Sequence, residues 1–110
     1  FDLFMKEMLE KVCKKHIFTS LVVIDPKILH TRKKISIFNG VDQHSFYHVI
    51  FNIAQKSRFV IKNVQELLEL ERKLILHVEH NYKYKHIMLD APLCSKAALL
   101  LRQNDWKVYQ

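Results

Sequence analysis

Two strand-like segments end in an aspartate that is followed closely by a proline. In LVVIDPKIL Asp25 precedes Pro26, and in HIMLDAPL Asp90 lies two residues before Pro92. Sites in open α/β sheets form beyond the carboxyl ends of strands, so the two carboxylates are candidates for one site. They could hold Mg²⁺ or Mn²⁺, hard ions that prefer oxygen ligands, and hydrolyse a phosphodiester with the help of the metal. Asp42, which follows the strand-like KISIF and the dipeptide NG, is a third candidate ligand.

The same three aspartates have a simpler interpretation as caps. Aspartate is a preferred N-cap residue, and proline fits the first position of a helix. Asp25-Pro26 and Asp90-Ala91-Pro92 both have this form, and Asp42 precedes a segment that we interpret as a helix. Caps explain these residues without any chemistry, so we take them as the main interpretation and the metal site as the alternative.

Two further segments concentrate positive charge, and the second also carries aromatic rings. They are HTRKK and HNYKYKH. Cations contact phosphates and aromatic rings stack on bases, so the composition suits single-stranded nucleic acid. On a strand, however, the tyrosines would share one face and the lysines the other, as on an edge strand that lysines protect from aggregation. The candidate nucleic-acid contacts are Arg32, Lys33, Lys34, Tyr82, Lys83, Tyr84 and Lys85.

Histidine and cysteine give weaker signals. His44 and His48 are four residues apart on a predicted helix, and His77 and His80 are three apart. Such spacing can serve Zn²⁺, but neither pair comes with further ligands, so we expect solvated or hydrogen-bonded side chains. The chain has two cysteines and no CxxC pair, which predicts free thiols. Cys94 lies in the first turn of a predicted helix, where a thiol pKa is lowered.

Gly40 is the only glycine of the chain. Loops that bind NAD, FAD or ATP need several glycines, because the backbone must approach the phosphates closely. The sequence therefore excludes those glycine-rich loops. It also lacks GxSxG and HExxH. We expect no cofactor, apart from Mg²⁺ or Mn²⁺ under the metal-site alternative.

The charge of the chain points to an anionic partner. Its 110 residues carry 18 Lys and Arg against 11 Asp and Glu, which gives a net charge of +7. Such a balance favours nucleic acid or an acidic protein surface as partner. The apolar stretches are too short to span a bilayer, and no secretory signal is visible. We therefore expect a cytoplasmic protein without a membrane segment.

The hydrophobic pattern predicts alternating helices and strands. Helical periodicity runs over residues 1–16, 43–57, 63–81 and 92–105, and short apolar runs predict strands at 18–24, 34–38, 58–62, 83–90 and 106–110. The strand at 18–24 is expected to be buried on both faces. This order predicts one α/β domain over residues 1–110, with a mostly parallel, possibly mixed, sheet of four or five strands flanked by helices.

These observations favour a non-enzymatic basic module that binds nucleic acid or an acidic or apolar protein surface. A small Mg²⁺- or Mn²⁺-dependent phosphodiesterase or nuclease is the first alternative, and it uses the strand-end aspartates. A protein-interaction or assembly subunit is the second, because the segment 67–78 has apolar residues on more than one helical face. A partner protein or a homodimer would cover that surface.

Overall fold

Three helices and five strands form among the described residues, and they differ from the amino-acid pattern mainly over residues 43–62. A computed structural model describes residues 3–29, 31 and 35–110. The helices are α1 (Leu3–Lys15), α2 (Ile61–Val78) and α3 (Ser95–Gln103). The strands are β1 (Phe18–Ile24), β2 (Ile35–Asp42), β3 (Tyr47–Ala54), β4 (Tyr84–Asp90) and β5 (Trp106–Tyr109), and a 3₁₀ turn (Pro26–Leu29) follows β1.

The five strands form one mixed sheet in the order β1-β2-β3-β4-β5. β1, β2 and β3 pair antiparallel, whereas β3, β4 and β5 pair parallel. The expectation of a mostly parallel sheet is therefore wrong, and the single α/β domain with a mixed sheet is confirmed. The sheet also has two ends along the direction of its strands. We call the end at which β3, β4 and β5 begin the start edge, and the end at which β3 and β4 finish the end edge.

The expected helix over residues 43–57 is wrong, since most of this segment forms β3. Residues 48–53 of β3 are all buried, because helices cover both faces of the sheet. A strand buried on both faces has no alternation of apolar and polar residues, so its sequence resembles a buried helix. β2 and β3 are consequently joined by a hairpin turn rather than by a crossover helix, which makes this half of the sheet antiparallel.

The helices divide between the two faces. α2 and α3 pack with Phe51, Ile87 and other residues in the larger core cluster. On the opposite face α1 buries Met5, Met8 and Val12, which recur at helical spacing, in a smaller cluster with Ile50 and Met88. This three-layer arrangement gives the domain two cores, one on each side of the sheet. No helix among the described residues is long and apolar enough to cross a membrane.

β1 is an exposed edge strand, contrary to the expectation that both of its faces are buried. Its side chains are mostly exposed, among them Val22 at 55% and Val23 at 61%. The strand pairs on one side with β2 and has no strand on its other side within the described residues. Its apolar composition is that of a buried strand, so composition alone could not show its place in the sheet.

The start of α2 differs slightly from the predicted helix over 63–81. The helix begins at Ile61, two residues before Asn63. The Asn63 side chain instead accepts a hydrogen bond at 2.9 Å from the Val60 N–H, so it satisfies the backbone from inside the first turn. The predicted strand at 58–62 reduces to one bridge, from Phe59 to Leu93.

Candidate functional site

The structure does not bring the three candidate aspartates together. Asp25 and Asp90 are exposed at the end edge, where β1 and β4 finish. Two strands lie between them, so their backbones are about 14 Å apart at the usual spacing of neighbouring strands. Asp42 lies at the opposite, start edge, because β2 runs antiparallel to β3. One metal ion cannot be ligated by all three carboxylates in this arrangement.

The cap interpretation holds for Asp25 but not for Asp90. Asp25 Oδ1 accepts a hydrogen bond at 3.0 Å from the Lys27 N–H, at the start of the 3₁₀ turn. α3 begins at Ser95, and its N-cap is Cys94 rather than Asp90. The backbone N–H groups of Ala97 and Lys96 hold the pKa of the Cys94 thiol below its usual value.

Asp42 caps a turn and not a helix. Its Oδ1 accepts hydrogen bonds from the backbone N–H groups of His44 and Phe46, at 2.8 and 3.0 Å, and so closes the hairpin between β2 and β3. Its Oδ2 lies 2.8 Å from His48 Nε2. Burial alone would raise the pKa of Asp42, but the hydrogen bonds from His48 and from the two backbone N–H groups lower it to about 2. Asp42 is therefore ionised at neutral pH.

A hydrogen-bonded chain of side chains continues from Asp42 into the smaller core. His48 Nδ1 lies 3.0 Å from His86 Nε2, and His86 Nδ1 lies 3.1 Å from the Tyr109 hydroxyl. An ionised carboxylate can only accept hydrogen bonds, so when both imidazoles are neutral the donor of each bond is determined. His48 Nε2–H donates to Asp42, His86 Nε2–H donates to His48, and the Tyr109 O–H donates to His86. Every nitrogen of the two rings is then satisfied.

His86 is held in its neutral form. It is 2% exposed, and burial, with help from the charges of His48, His16 and Lys107, lowers its pKa to about 3. Burial also lowers the pKa of His16, although its ring is only half-buried. The neutral imidazole is the form of histidine that binds metal ions.

His16 completes a cluster of three histidines. It lies between α1 and β1, and its ring centroid is 4.5 Å from that of His48 and 5.5 Å from that of His86. One nitrogen from each of the three rings lies within 4.8 Å of the other two. We call His16, His48 and His86 the histidine cluster.

No local pattern in the sequence indicates the histidine cluster. The two pairs with helical spacing were His44 with His48, on a helix that the structure does not form, and His77 with His80. In the sheet, β3 and β4 pair parallel with Ile50 opposite His86, which places His48 and His86 on the same face of neighbouring strands. Only the parallel register could have revealed the pair, and the register depends on recognising 47–54 as a strand.

A cleft of about 480 Å³ opens beside the histidine cluster at the start edge. Lysines from β4, β5 and the preceding loop surround it, together with one acidic residue. Its lining residues are His16, Tyr82, Lys83, Tyr84, Lys85, His86, Asp105 and Lys107. We call it the basic cleft. It contains all four of the candidate nucleic-acid contacts in HNYKYKH.

The lysines of the basic cleft have different partners. Lys85 Nζ lies 2.9 Å from the buried Glu71 carboxylate of α2, so its charge is balanced inside the protein. Lys83 Nζ lies 3.5 Å above the Phe46 ring, and neither it nor Lys107 has a carboxylate partner among the described residues. Instead the adjacent Lys15 lowers the pKa of the Lys107 ammonium. Two ammonium groups this close form a natural place for an anion.

The two tyrosines differ as well. Tyr82 is buried in the larger core, and its hydroxyl donates a 2.7 Å hydrogen bond to Asn39 Oδ1. Tyr84 is half-buried on the other face of the sheet and stacks on His48 with a centroid distance of 4.6 Å. Of the two, Tyr84 is the ring that reaches the histidine cluster. The other basic candidates, Arg32, Lys33 and Lys34, lie outside the described residues.

A second cavity, of about 210 Å³, lies at the end edge between the sheet and α2. Its described lining contains no ionisable side chain and is mostly apolar. The lining residues are Ile35, Ile53, Ala54, Gln55, Phe59, Asn63, Leu67 and Leu70. The end edge therefore offers no acid–base chemistry there, in contrast to the start edge.

Two solved structures resemble this chain over its whole length. The structure of EndoMS in apo form aligns with a TM-score of 0.57 and 14% identity. A repair endonuclease from Pyrococcus abyssi aligns with a TM-score of 0.54 and 15% identity. The chain shares their fold. It spans 47% of the length of each neighbour. No protein-family model and no curated protein matches it.

Proposed function

We propose that this domain binds nucleic acid through the basic cleft at the start edge. The observation that carries the proposal is the cleft itself, in which Lys83 and Lys107 lack carboxylate partners among the described residues. The Tyr84 ring lies 5.7 Å from Lys83 Nζ and stacks on His48 of the histidine cluster. The net charge of +7 supports an anionic partner. One of the two structural neighbours is named as a repair endonuclease, which makes a nucleic acid the favoured anion.

Fluorescence anisotropy with labelled single- and double-stranded oligonucleotides tests this proposal. We expect binding at low salt that weakens as salt rises, because the lysines displace counterions from phosphates. In Lys83→Ala/Lys107→Ala, the slope of log affinity against log salt should decrease by roughly 1–2, which corresponds to two lost phosphate contacts. These two side chains are exposed, so the fold should tolerate the change.

Lys27→Ala/Lys62→Ala is the matched control. It removes the same charge from exposed positions in the 3₁₀ turn and in the first turn of α2, away from the basic cleft. Its affinity should stay within about twofold of the wild type at physiological salt, where charges far from the contact are screened. An equal loss of oligonucleotide affinity in both double variants would mean that the net charge acts without a defined site, and would refute the basic cleft as the binding site. An Arg32→Ala/Lys33→Ala/Lys34→Ala variant tests the second basic segment separately.

A metal-dependent nuclease is the alternative, since one structural neighbour is named as a repair endonuclease. It would use Asp25 or Asp90 at the end edge, or Asp42 at the start edge. Gel analysis of the same oligonucleotides with Mg²⁺ or Mn²⁺ separates the two functions. We expect intact oligonucleotide. Cleavage that requires Mn²⁺ and disappears in Asp90→Asn would replace the binding module by the nuclease.

The exposed strand β1 favours a second candidate, a protein-interaction surface. Leu21, Val22 and Val23 are between 39% and 61% exposed along an unpaired edge, an arrangement that invites pairing with another chain. Light scattering after size-exclusion chromatography gives the oligomeric state. A dimer that Val22→Lys converts to a monomer would support this candidate. A monomeric wild type would show that β1 does not pair with a second copy of the protein.

A further inference from the structure

We propose that the histidine cluster binds one divalent transition-metal ion, with Zn²⁺ as the preferred ion, through one nitrogen each of His16, His48 and His86. The inference goes beyond the proposed function and does not depend on it. It also differs from the aspartate site expected from the sequence, since neutral imidazoles suit zinc, copper and nickel, whereas carboxylates and water suit Mg²⁺ and Mn²⁺.

The spacing of the nitrogens fits such an ion. Zinc binds histidine at 2.0–2.1 Å with tetrahedral geometry, so two ligating nitrogens are about 3.3 Å apart. His48 Nδ1 and His86 Nε2 are already 3.0 Å apart, and one nitrogen from each of the three rings lies within 4.8 Å of the other two. An ion therefore needs only a small separation of the first two rings and a movement of His16 toward them.

The outer nitrogen of each buried ring has a hydrogen-bond partner, and that of His48 has the kind that metal-binding histidines most often use. A ligating histidine almost always bonds through its other nitrogen to a carboxylate, a backbone carbonyl or water. His48 Nε2 is bonded to the ionised Asp42 carboxylate, which leaves Nδ1 facing the cluster without a proton. His86 Nδ1 is bonded to the Tyr109 hydroxyl, which can accept a hydrogen bond as well as donate one.

Only one proton has to be rearranged for His86 to become a ligand. In the metal-free protein His86 carries its proton on Nε2, and this N–H donates a hydrogen bond to His48. With the ion bound, that proton resides on Nδ1 and is donated to the Tyr109 oxygen, whose own hydrogen turns away. The ring stays neutral, and no proton leaves the protein through this step.

A purely structural series of hydrogen bonds does not explain the position of His16. The chain from Asp42 to Tyr109 is complete without it, and its ring makes no hydrogen bond to any part of the protein that the structure describes. It nevertheless lies with a nitrogen close to both other rings. Because His16 and His86 also line the basic cleft, an ion held here is open to solvent on that side.

Calorimetric titration of chelator-treated protein with Zn²⁺, and with Mg²⁺ for comparison, tests the proposal. We expect one saturable Zn²⁺ site and no comparable Mg²⁺ site. His16→Ala should weaken Zn²⁺ binding by about 100-fold or more, since loss of a ligand should exceed the 10–100-fold effect of losing an outer partner. His77→Ala is the matched control, because it removes an exposed histidine of α2 and should bind Zn²⁺ as the wild type does.

A second measurement needs no variant. In long-range ¹H–¹⁵N spectra of the wild type, Zn²⁺ should shift the ring nitrogens of His16, His48 and His86 and leave those of His77 unchanged. The absence of a saturable Zn²⁺ site, or equal affinity in His16→Ala and the wild type, would overturn the proposal. Oligonucleotide binding is measured separately in the presence of EDTA, so a failure of the metal site and a failure of the basic cleft are distinguishable.

Discussion

The ion pair between Lys85 and Glu71 is predicted to stabilise the fold rather than to bind nucleic acid. Glu71 is 6% exposed, and its carboxylate lies 2.9 Å from the Lys85 ammonium, whose side chain is 23% exposed. Lys85→Met removes the cation and leaves a buried carboxylate without its partner. Breaking a buried pair in this way costs about 3–5 kcal/mol, and water at the partly exposed lysine reduces this to about 2–3 kcal/mol.

Urea denaturation followed by circular dichroism measures the effect. For a domain of this size, a loss of 2–3 kcal/mol corresponds to a decrease in Tm of roughly 10–15 °C. Lys85→Met/Glu71→Leu removes both charges and should lie within about 1 kcal/mol of the wild type, because apolar replacements of a buried pair are often neutral. Lys83→Met is the control, and as a surface change it should cost less than about 0.5 kcal/mol.

The same variants decide whether Lys85 contacts a ligand. The double variant keeps the net charge of the protein, so its oligonucleotide affinity should equal that of the wild type. A Lys85→Met variant as stable as the wild type, or a double variant no more stable than the single one, would show that the ion pair does not stabilise the fold. A double variant that is stable but binds oligonucleotide several-fold more weakly would return Lys85 to the nucleic-acid contacts.

Two further predictions concern the environment of the histidine cluster. His86 has its pKa lowered to about 3, so the unfolded chain takes up a proton below pH 6.5 that the folded chain refuses. With EDTA present, urea titrations should therefore show that the free energy of unfolding falls by about 1 kcal/mol per pH unit as the pH decreases from 6 to 4. If the free energy of unfolding depends less steeply on pH in the wild type than in His86→Phe, this prediction is wrong. Gly40→Ala should cost about 1–2 kcal/mol, because the added Cβ would lie 2.8 Å from the Phe18 ring, which packs on His48. The penalty should shrink when Phe18→Ala is present, and an equal penalty in both backgrounds would exclude the clash as its cause.

The sequence by itself determined most of the helices and strands. α1, α2 and α3 have apolar residues at helical spacing, and β1, β4 and β5 are short apolar runs between turn residues. The positive charge and the absence of glycine-rich loops were also visible without a structure. These features depend on local propensity and on composition, which neighbouring residues in the chain already define.

The segment 43–57 shows where local patterns stop being sufficient. Aspartate can cap a helix or close a turn with the same side-chain hydrogen bonds, and Asp42 does the second. Ser45 adopts a positive φ of 65° in that turn, which a helix start does not require. The following apolar run fits a buried helix and a doubly buried strand equally well, so only packing against both helical layers selects the strand.

Only the tertiary structure decided which side chains form a site. His16, His48 and His86 come from three distant segments, and the parallel register of β3 and β4 brings the last two together. The roles of the lysines were likewise set by distant partners, since Glu71 on α2 balances Lys85. Charge and residue type are properties of the sequence, whereas burial and neighbours arise from contacts between residues far apart in the chain, and those contacts determine which groups are free to bind a ligand.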